Sequence, residues 1–306
     1  MNPRLASRMW LTGAVLLTLL AMMVLPSCKR MLDITEPLSS RSVVERNSGQ
    51  SSTALEAQIE SDRDDEGLEP SDAAAKITGP TVIAQSGAYR VTRDFSVKSG
   101  DGIVIRASHV WLSLGGHTLM GPGNKSGRAI VIDHTDHVLV SRGTVQTFGV
   151  GVALLGASRS AVKSVKVVGG DEFADPPSVP PQIGVLIVDS HDNRISRNRL
   201  KDVNLGIFVR GGGSYENKIR RNSVSAGQHG LLGICYNPAM DEGPAGPSKD
   251  EVSENVLDRV GKGIQASTGS HDNEFESNTI KYFVVAWEDR NGTNQFRRNR
   301  TAQLTP

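Results

Sequence analysis

An eight-residue pattern of polar and apolar positions returns five times between residues 193 and 301. Its copies are NRISRNRL, NKIRRNSV, DEVSENVL, NEFESNTI and NQFRRNRT, which start at residues 193, 217, 250, 273 and 294. Each copy holds an Asn or Asp, an apolar residue two positions later, and an Asn three positions after that. These last asparagines are 24, 33, 23 and 21 residues apart. A period in the twenties predicts a solenoid, in which each repeat forms one coil.

Short apolar alternation with a period of two fills the chain from residue 81 onward, and no helical period is sustained. This pattern predicts short β-strands separated by bends. A second strand signal, Gly-apolar-x-apolar, recurs as GVAL (151–154), GVLI (184–187), GIFV (206–209) and GIQA (263–266). One repeat cannot bury its apolar residues alone, so we expect the repeats to stack on one another.

The repeated asparagines are predicted to be architectural. Asn at a bend tolerates left-handed backbone geometry, and its short amide can bond to nearby backbone groups. In stacked coils, equivalent asparagines also bond to one another. The predicted ladder, with one residue at each bend, consists of Asn198, Asn222, Asn255, Asn278 and Asn299.

A family resemblance rests on DGIVIRASHVWLSLGGHTLMGPG (101–123) and on the Asn-x-apolar-x-x-Asn-x-apolar spacing of the later repeats. These stretches resemble the opening and later coils of right-handed parallel β-helix proteins of the pectin-lyase-like superfamily, specifically the NosD-like repeat group. The resemblance covers residues 79–300 in outline. It implies an all-β fold, a right-handed parallel β-helix solenoid, and a count of the corner positions of successive repeats predicts about nine coils. It selects no single function, because the superfamily includes lyases, hydrolases, epimerases and adhesins.

Residues 1–28 are predicted to be a signal or anchor outside the fold. Arg4 and Arg8 precede an uncharged stretch over 9–25, and LPSC then ends at Cys28. This ending resembles a bacterial lipobox, which implies lipidation of Cys28; an uncleaved anchor and an ordinary secretory peptide are the alternatives. Residues 29–76 are rich in Ser, Glu, Asp and Arg and predict a flexible linker, so the solenoid is expected over 77–306. We therefore expect export to the cell envelope and contact with the membrane through the N-terminus.

Composition sets few limits on function. The net charge is +1, which gives no reason to expect a nucleic-acid partner. The two cysteines, Cys28 and Cys235, cannot make a disulfide scaffold, and Cys235 is expected to be unpaired. Two outward columns of the repeat, which begin at Arg194 and Arg197, place basic rungs on acidic ones. They predict a self-neutralising surface that is poorly suited to a polyuronate.

The segment DHTDH (133–137) is the densest cluster of reactive side chains. Asp133, His134, Asp136 and His137 crowd one turn, and His109 is expected at the equivalent corner of the preceding coil. Imidazole and carboxylate groups can hold a transition metal, with His109, His134, Asp136 and His137 as candidate ligands. The four residues of the turn can also supply a base and an acid for uronate chemistry. A polar turn without a chemical role is the alternative.

Two insertions, 169–182 and 236–249, interrupt the repeat. Long loops on a rigid stack are frequent places for binding residues. Their carboxylates are candidate Ca²⁺ ligands, namely Asp171, Glu172, Asp175, Asp241 and Glu242. The alternative is that both are surface excursions without a role.

One apolar column is expected to face outward. Its members are Val131, Ala153, Leu186, Phe208 and Leu232. An outward apolar stripe predicts either a cover, from 236–249 or 29–76, or a partner. In the second case Phe208 is a candidate sugar platform, with Arg210 or Glu288 beside it.

Three functions remain open on these observations. The first is an exported or envelope-attached bacterial protein that binds carbohydrate or another surface polymer without chemistry, and it is favoured because no reactive set converges in the sequence. The second is a polysaccharide lyase or epimerase that acts on an acidic glycan. The third is a periplasmic metal-handling protein of NosD type. Calcium or a transition metal is the cofactor that these alternatives imply.

Overall fold

The computed structural model describes residues 42–43, 73–123, 126–170, 182–225, 232–237, 246–290 and 292–302. These residues form 25 β-strands, and their strand pairings are parallel. They contain no helix long and apolar enough to cross a membrane. Parallel neighbours need a crossover connection, and here each turn of the solenoid supplies it.

Each coil contributes strands to three faces of one continuous parallel sheet, which we name face A, face B and face C. Face A carries the Gly-apolar-x-apolar signal. Its strands are Ser42–Val43, Thr81–Ile83, Ile103–Ile105, Arg128–Asp133, Val150–Leu155, Ile183–Val188, Leu205–Arg210, Leu232–Asn237 and the second parts of Val256–Ala266 and Thr279–Asp289.

Face B carries the first half of the repeated eight-residue pattern. Its strands are Ala75–Ile77, Gly87–Val91, Val110–Ser113, the first parts of Val138–Gln146 and Ala161–Val168, Arg194–Ser196, Lys218–Arg220, Glu251–Ser253, Glu274–Glu276 and Gln295–Arg297.

Face C follows the ladder asparagines. Its strands are Phe95–Ser96, Thr118–Met120, the second parts of Val138–Gln146 and Ala161–Val168, Arg199–Lys201, Ser223–Ser225, the first parts of Val256–Ala266 and Thr279–Asp289, and Arg300–Ala302.

The number of coils follows from face A. Among the described residues, nine consecutive strands of this face pair in series from Thr81–Ile83 to the second part of Thr279–Asp289. The predicted all-β parallel solenoid of about nine coils is therefore confirmed. One strand lies inside the predicted linker and a second crosses its end, because Ser42–Val43 pairs with Thr81–Ile83 and Ala75–Ile77 pairs with Gly87–Val91. Strand pairing thus begins before residue 77.

The interior of the solenoid is built from stacked apolar side chains of equivalent positions. Ile195, Ile219, Val252 and Phe275 stand in register on face B and are fully buried. Burying each such side chain contributes about 1.5–3 kcal/mol. Glycine is required where face A comes closest to this interior. A Cβ on Gly184 would lie 2.6 Å from the carbonyl oxygen of Gly206 and 2.9 Å from Leu200.

The predicted asparagine ladder is present. The backbone N–H and the Nδ2 of Asn198 both donate to Oδ1 of Asn222, at 3.0 and 3.1 Å. The same pair of bonds continues through Asn255 and Asn278 to Asn299. Each amide also donates to a backbone carbonyl, as Asn222 does to Ile195 at 2.8 Å. The ladder therefore satisfies buried polar groups at the bend between faces B and C.

The predicted position of the bend is wrong by one residue. Left-handed geometry falls on the residue before each ladder asparagine, with φ near +56° at Arg197, +57° at Arg221 and +57° at Glu254. Asn222 itself is buried because its amide spans the coils. The preceding side chain points to solvent, so an ordinary long polar residue takes the strained conformation there.

A second ladder runs along the start of the repeated pattern. Asn193 donates its N–H and Nδ2 to Oδ1 of Asn217, both at 3.1 Å. The sequence analysis treated these positions only as part of the motif. The full ladder consists of Asn193, Asn217, Asp250, Asn273 and Asn294. At its last rung, the carboxylate of Asp289 accepts from both Asn294 nitrogens, where a further coil would otherwise bond.

Candidate functional site

The outer side of face C holds a surface cavity of about 370 Å³. It lies over four neighbouring strands, Arg199–Lys201, Ser223–Ser225, and the starts of Val256–Ala266 and Thr279–Asp289. We name it the face C groove. Its outward side chains are Arg199, Lys201, Ser223, Ser225, Val256, Asp258, Arg259, Lys281 and Tyr282.

The groove exists because side-chain size changes along two outward columns. Arg199 pairs with Ser223, and Lys201 pairs with Ser225, while Leu200 and Val224 between them point into the core. The two serines are short, so they leave a depression between the longer side chains on either side. Successive parallel strands are about 4.8 Å apart, so four strands span about 14 Å along the solenoid axis.

The groove is electropositive. Arg199, Lys201, Arg259 and Lys281 line it, against the one carboxylate of Asp258. Asp258 is already paired with Arg259 at 3.2 Å. Lys201 has an ion pair outside the groove, with Asp202 at 3.3 Å.

Two of these cations are uncompensated. In the described part of the chain, neither Arg199 nor Lys281 has an ion-pair partner. Both side chains are exposed on strands that the interior packing holds in place. The groove therefore presents fixed positive charge to an anionic ligand.

An aromatic ring stands at the edge of the groove. Tyr282 is 46% exposed and follows Lys281 at the bend from face C to face A. Its φ of +50° is left-handed, and Arg259 holds the equivalent bend of the preceding coil with φ +53°. Its side chain lies between the exposed Lys281 and the half-buried Phe283, and its own exposure leaves the phenol ring open to a ligand.

A family model described as "Right handed beta helix region" matches residues 92–280. The chain belongs to the right-handed β-helix family. No curated protein matches this β-helix chain in sequence. The family match confirms the fold that the sequence resemblance implied and assigns the handedness of the coil.

Solved structures similar to this right-handed β-helix include two polygalacturonases. The enzyme of Erwinia carotovora ssp. carotovora is 8% identical with a TM-score of 0.52, over 87% of this chain and 95% of that one. The exopolygalacturonase of Thermotoga maritima is 11% identical with a TM-score of 0.52, over 90% and 80%. At these identities the likeness shows the fold alone.

A tailspike protein of E. coli bacteriophage HK620, solved in complex with a pentasaccharide, is also similar. It is 10% identical with a TM-score of 0.43, over 75% of this chain and 46% of that one. The right-handed β-helix chain thus spans about half the length of that tailspike.

The predicted histidine and aspartate cluster is divided between exposed and buried positions. His134 bonds to Asp133 at 2.9 Å, and its side chain is 79% exposed. His137 bonds to Asp136 at 3.0 Å, but its side chain is only 7% exposed. Its ring stacks on His109 with a centroid distance of 5.0 Å and an interplanar angle of 10°. The two imidazoles therefore do not share one open site.

The two carboxylates of the cluster favour the ionised form. Burial acts to raise the pKa of Asp133, but hydrogen bonds from His134 and Arg106 outweigh it and lower the pKa. Burial is likewise outweighed at Asp136, where hydrogen bonds from Ser108 and His137 lower the pKa. Neither group is suited to act as a general acid.

No metal-ligand set is found where the sequence analysis placed one. In the described ranges, no three His, Cys, Asp or Glu side chains form a group that could hold a metal ion. His109, His134, Asp136 and His137 instead form one stacked pair and separate His–Asp contacts.

The two histidines of the cluster can be separated by stability. His137→Ala is expected to lower the free energy of unfolding by about 1–2 kcal/mol, because it removes a buried ring and its bond to Asp136. His134→Ala is expected to change it by less than about 0.5 kcal/mol, because the ring is exposed. Urea denaturation of both variants checks this. Equal effects would show that burial does not distinguish the two rings.

The outward apolar column of face A is buried. Leu186, Phe208 and Cys235 stand in register and are 3–5% exposed. They form an apolar layer outside the solenoid core. The assignment of Leu232 to this column is wrong, because Leu232 pairs with Leu205 and Cys235 takes the rung after Phe208. Register across residues 226–231 could not be read from spacing.

Phe208 is therefore not an open sugar platform in this structure. Its ring lies in the buried layer, and Arg210, two residues later on the same strand, is half-buried. Glu288 lies three coils further along the column and is held by Lys262 and Arg290 at 2.6 and 2.9 Å. Although burial opposes it, these contacts lower the pKa of Glu288.

Several predicted residues lie outside the described residues. They are Cys28, Asp171, Glu172, Asp175, Asp241 and Glu242. Cys235 forms no disulfide among the described residues, and its buried thiol donates to Oε1 of Gln265 at 3.8 Å.

The face C groove is not among the sites predicted from the sequence. The predicted outward columns, which begin at Arg194 and Arg197, end at the asparagines. The columns one and three positions past each ladder Asn hold the groove residues Arg199, Lys201 and Lys281 and the two short serines. That alignment was the available signal.

Proposed function

We propose that this protein binds an anionic polysaccharide, such as a uronate-containing glycan, in the face C groove without changing it chemically. The observation that carries the proposal is the arrangement of Arg199, Lys201, Arg259 and Lys281 around two serines, with Tyr282 exposed at the rim. Two of these cations have no ion-pair partner among the described residues. A linear polyanion would compensate them, and the groove runs along the axis for about 14 Å.

The shape and lining of the groove favour a glycan over a nucleic acid. Binding of single-stranded nucleic acid commonly uses several aromatic rings on which successive bases stack. In the part of the chain that the structure describes, the groove has one aromatic ring, Tyr282, beside polar and basic side chains. Carboxylate groups of a uronate suit Arg199 in particular, because guanidinium can bind a carboxylate through two parallel hydrogen bonds.

Binding without chemistry is the simplest activity of this groove. Among the described residues, Asp258 is the only carboxylate that lines the groove and is engaged by Arg259, and no histidine of that part of the chain lines it. The acids and histidines of 133–137 belong to an earlier coil and are not part of the cavity. The lyase and epimerase alternative therefore needs a different site.

The proposal retains the expectation that residues 1–28 direct export or anchor the chain in the envelope. An exported protein meets surface and extracellular glycans, and a lipid on Cys28 would hold the solenoid beside the membrane. Palmitate labelling of the full chain and of Cys28→Ser would test the anchor. Equal labelling of both proteins would remove it from the proposal.

The first experiment is a titration of the full-length protein with polygalacturonate, with dextran as the neutral control. We expect saturable binding to polygalacturonate that weakens steeply as NaCl rises from 50 to 300 mM. Over this range the Debye length, the distance beyond which salt screens charges, passes through about 10 Å. Dextran is expected not to bind.

Two further arms separate the alternatives. Ultraviolet absorbance of unsaturated uronate ends would rise only for a lyase, with or without added Ca²⁺. An equal-length single-stranded DNA reports on non-specific polyanion binding. Binding of DNA as tight as that of polygalacturonate, or equal binding of dextran, would contradict a glycan-selective groove.

A further inference from the structure

Asp250 occupies a place in the second ladder that every other member fills with asparagine. Its Oδ1 accepts from the N–H of Asn217 at 2.6 Å and from Nδ2 of Asn217 at 3.2 Å. Its own N–H donates to Oδ1 of Asn273 at 3.0 Å. The backbone and one carboxyl oxygen thus fit the ladder as an asparagine would. The remaining oxygen, Oδ2, occupies the place of the amide nitrogen.

The neighbouring rungs show what that nitrogen does. Nδ2 of Asn217 donates to the carbonyl of Ser190 at 2.9 Å as well as to the next rung. Nδ2 of Asn273 donates to the carbonyl of Pro247 at 3.1 Å and to Oδ1 of Asn294 at 2.8 Å. In both cases one amide faces two acceptor oxygens, and only a donor suits that position.

The register places the same two kinds of acceptor beside Asp250. His191, Tyr215, Ser248 and His271 are bridged in series. Each ladder amide donates to the carbonyl of the residue just before the bridged residue of the preceding coil. For position 250 that bridged residue is Tyr215, so the carbonyl is that of Ser214. An ionised Oδ2 has no proton to give and would face lone pairs. A protonated Oδ2–H would donate, as the amide does.

The surroundings of Oδ2 are buried and offer no positive charge among the described residues. Asp250 is 1% exposed, and Oδ2 has no hydrogen-bond partner of good geometry there. The titratable groups that act on it are Tyr236, whose buried hydroxyl is a nearby donor but makes no bond of good geometry, and the carboxylate of Glu216. Burial raises the pKa of Asp250 to about 7, with Glu216 adding to the rise, while bonds from Asn217 and the interaction with the Tyr236 hydroxyl oppose it. Burial and the Asp250 charge likewise raise the pKa of Tyr236.

Asp250 also stands at the start of the coil that forms the middle of the groove. Glu251–Ser253 follows it on face B, Asn255 continues the first ladder, and Val256, Asp258 and Arg259 then line the cavity. Asp250 therefore lies six to nine residues before three groove residues on the same coil. Loss of order at Asp250 would disturb the backbone that carries them.

We propose that Asp250 is a pH-sensitive element of the ladder: its neutral carboxyl donates the bond that an asparagine amide would, and its ionisation loosens the coil that carries the centre of the groove. The stability of this coil, and with it the affinity of the groove, falls as the carboxyl ionises. The regulatory part rests on the proposed function of the groove, whereas the ladder part does not.

The sign of the pH effect follows from proton counting. An aspartate in the unfolded chain ionises near pH 4, whereas Asp250 in the folded chain ionises near pH 7. Between these values the folded state holds one proton more than the unfolded state. The unfolding equilibrium constant therefore rises about tenfold per pH unit across this window and is independent of this group above it.

The test compares the full chain with Asp250→Asn, and uses Asp272→Asn as the control. Asp272 is an exposed aspartate of the next coil, so its replacement makes the same chemical change without touching the ladder. We expect the stability advantage of Asp250→Asn over wild type to grow from pH 5 to pH 8. The control should follow wild type. Identical pH profiles of Asp250→Asn and wild type would overturn the ladder proposal.

Affinity for polygalacturonate is then measured at pH 6 and pH 8. Lys and Arg side chains and the uronate carboxylates ordinarily keep their charge over this range. Wild type is expected to bind more weakly at pH 8, and Asp250→Asn to bind equally at both. Affinities of wild type that do not change with pH would overturn the regulatory part.

The two failures are distinguishable. If no protein binds polygalacturonate at any pH, the proposed function fails, while the stability profiles still decide the state of Asp250. If Asp250→Asn does not fold, infrared difference spectra of wild type between pH 6 and pH 9 replace it. A neutral carboxyl lost over this range supports the proposal, and its absence at pH 6 overturns it.

Discussion

Replacing Asn222 by alanine is expected to lower the free energy of unfolding by about 3–5 kcal/mol, because one buried amide makes four hydrogen bonds. Its Oδ1 accepts from the N–H and Nδ2 of Asn198, at 3.0 and 3.1 Å. Its Nδ2 donates to the carbonyl of Ile195 at 2.8 Å and to Oδ1 of Asn255 at 3.0 Å. Alanine leaves these partners buried without a bond, and each unsatisfied group costs about 1–3 kcal/mol.

Urea denaturation of Asn222→Ala is the measurement, with Arg221→Ala as the matched control. Arg221 is the preceding bend residue, exposed and paired with Glu254 at 2.6 Å, and a surface pair of this kind contributes about 0.2–1 kcal/mol. Below its melting temperature, Asn222→Ala is expected to keep the affinity of the groove for polygalacturonate. A variant that lost binding without losing stability would show that the ladder is not purely architectural.

The ladder could be predicted because its physics is local and repeated. An Asn at a fixed distance from an apolar residue returns in five coils, and Asn198 to Asn299 then fall into register in the structure. The strand signals GVLI and GIFV likewise predicted Ile183–Val188 and Leu205–Arg210. Every coil repeats the same arrangement, so an ambiguous position in one repeat can be assigned from the equivalent positions in the others.

The bend conformation could not be predicted from residue preference. Arg221 and Glu254 adopt left-handed backbone although neither residue type favours it. The ladder explains this conformation. The amide of Asn222 must point inward to donate to the carbonyl of Ile195, so the residue before it, whose side chain points outward, takes the left-handed bend. Tertiary hydrogen bonding thus overrides local propensity at this position.

The groove was missed because a depression depends on the side-chain sizes of residues that neighbouring coils bring together, which no single repeat reveals. Ser223 and Ser225 are ordinary serines until Arg199 and Lys201 lie beside them on one side and Val256 on the other. The histidine cluster was misleading for another reason, because His134 and His137 lie in one short segment but have different exposures in the fold.

Reversing the two uncompensated charges of the groove is expected to abolish most of its binding. The double variant Arg199→Glu with Lys281→Glu should lower the affinity for polygalacturonate about a hundredfold at low salt, equivalent to about 2.7 kcal/mol. The two side chains lie on strands at opposite ends of the groove and have no ion-pair partner among the described residues. A glutamate at each place repels the same uronate groups that the cations attract.

The matched control is Lys76→Glu with Lys98→Glu, which changes the net charge by the same amount. Both lysines are exposed and belong to the first coils, away from the groove. Isothermal titration at two salt concentrations measures all three proteins, and urea denaturation confirms that each is folded. We expect the control to lose less than about threefold, because exposed charges beyond about 10 Å are screened. A loss as large in the control as in the groove variant would show that the whole positive field of the solenoid, rather than face C, attracts the polymer.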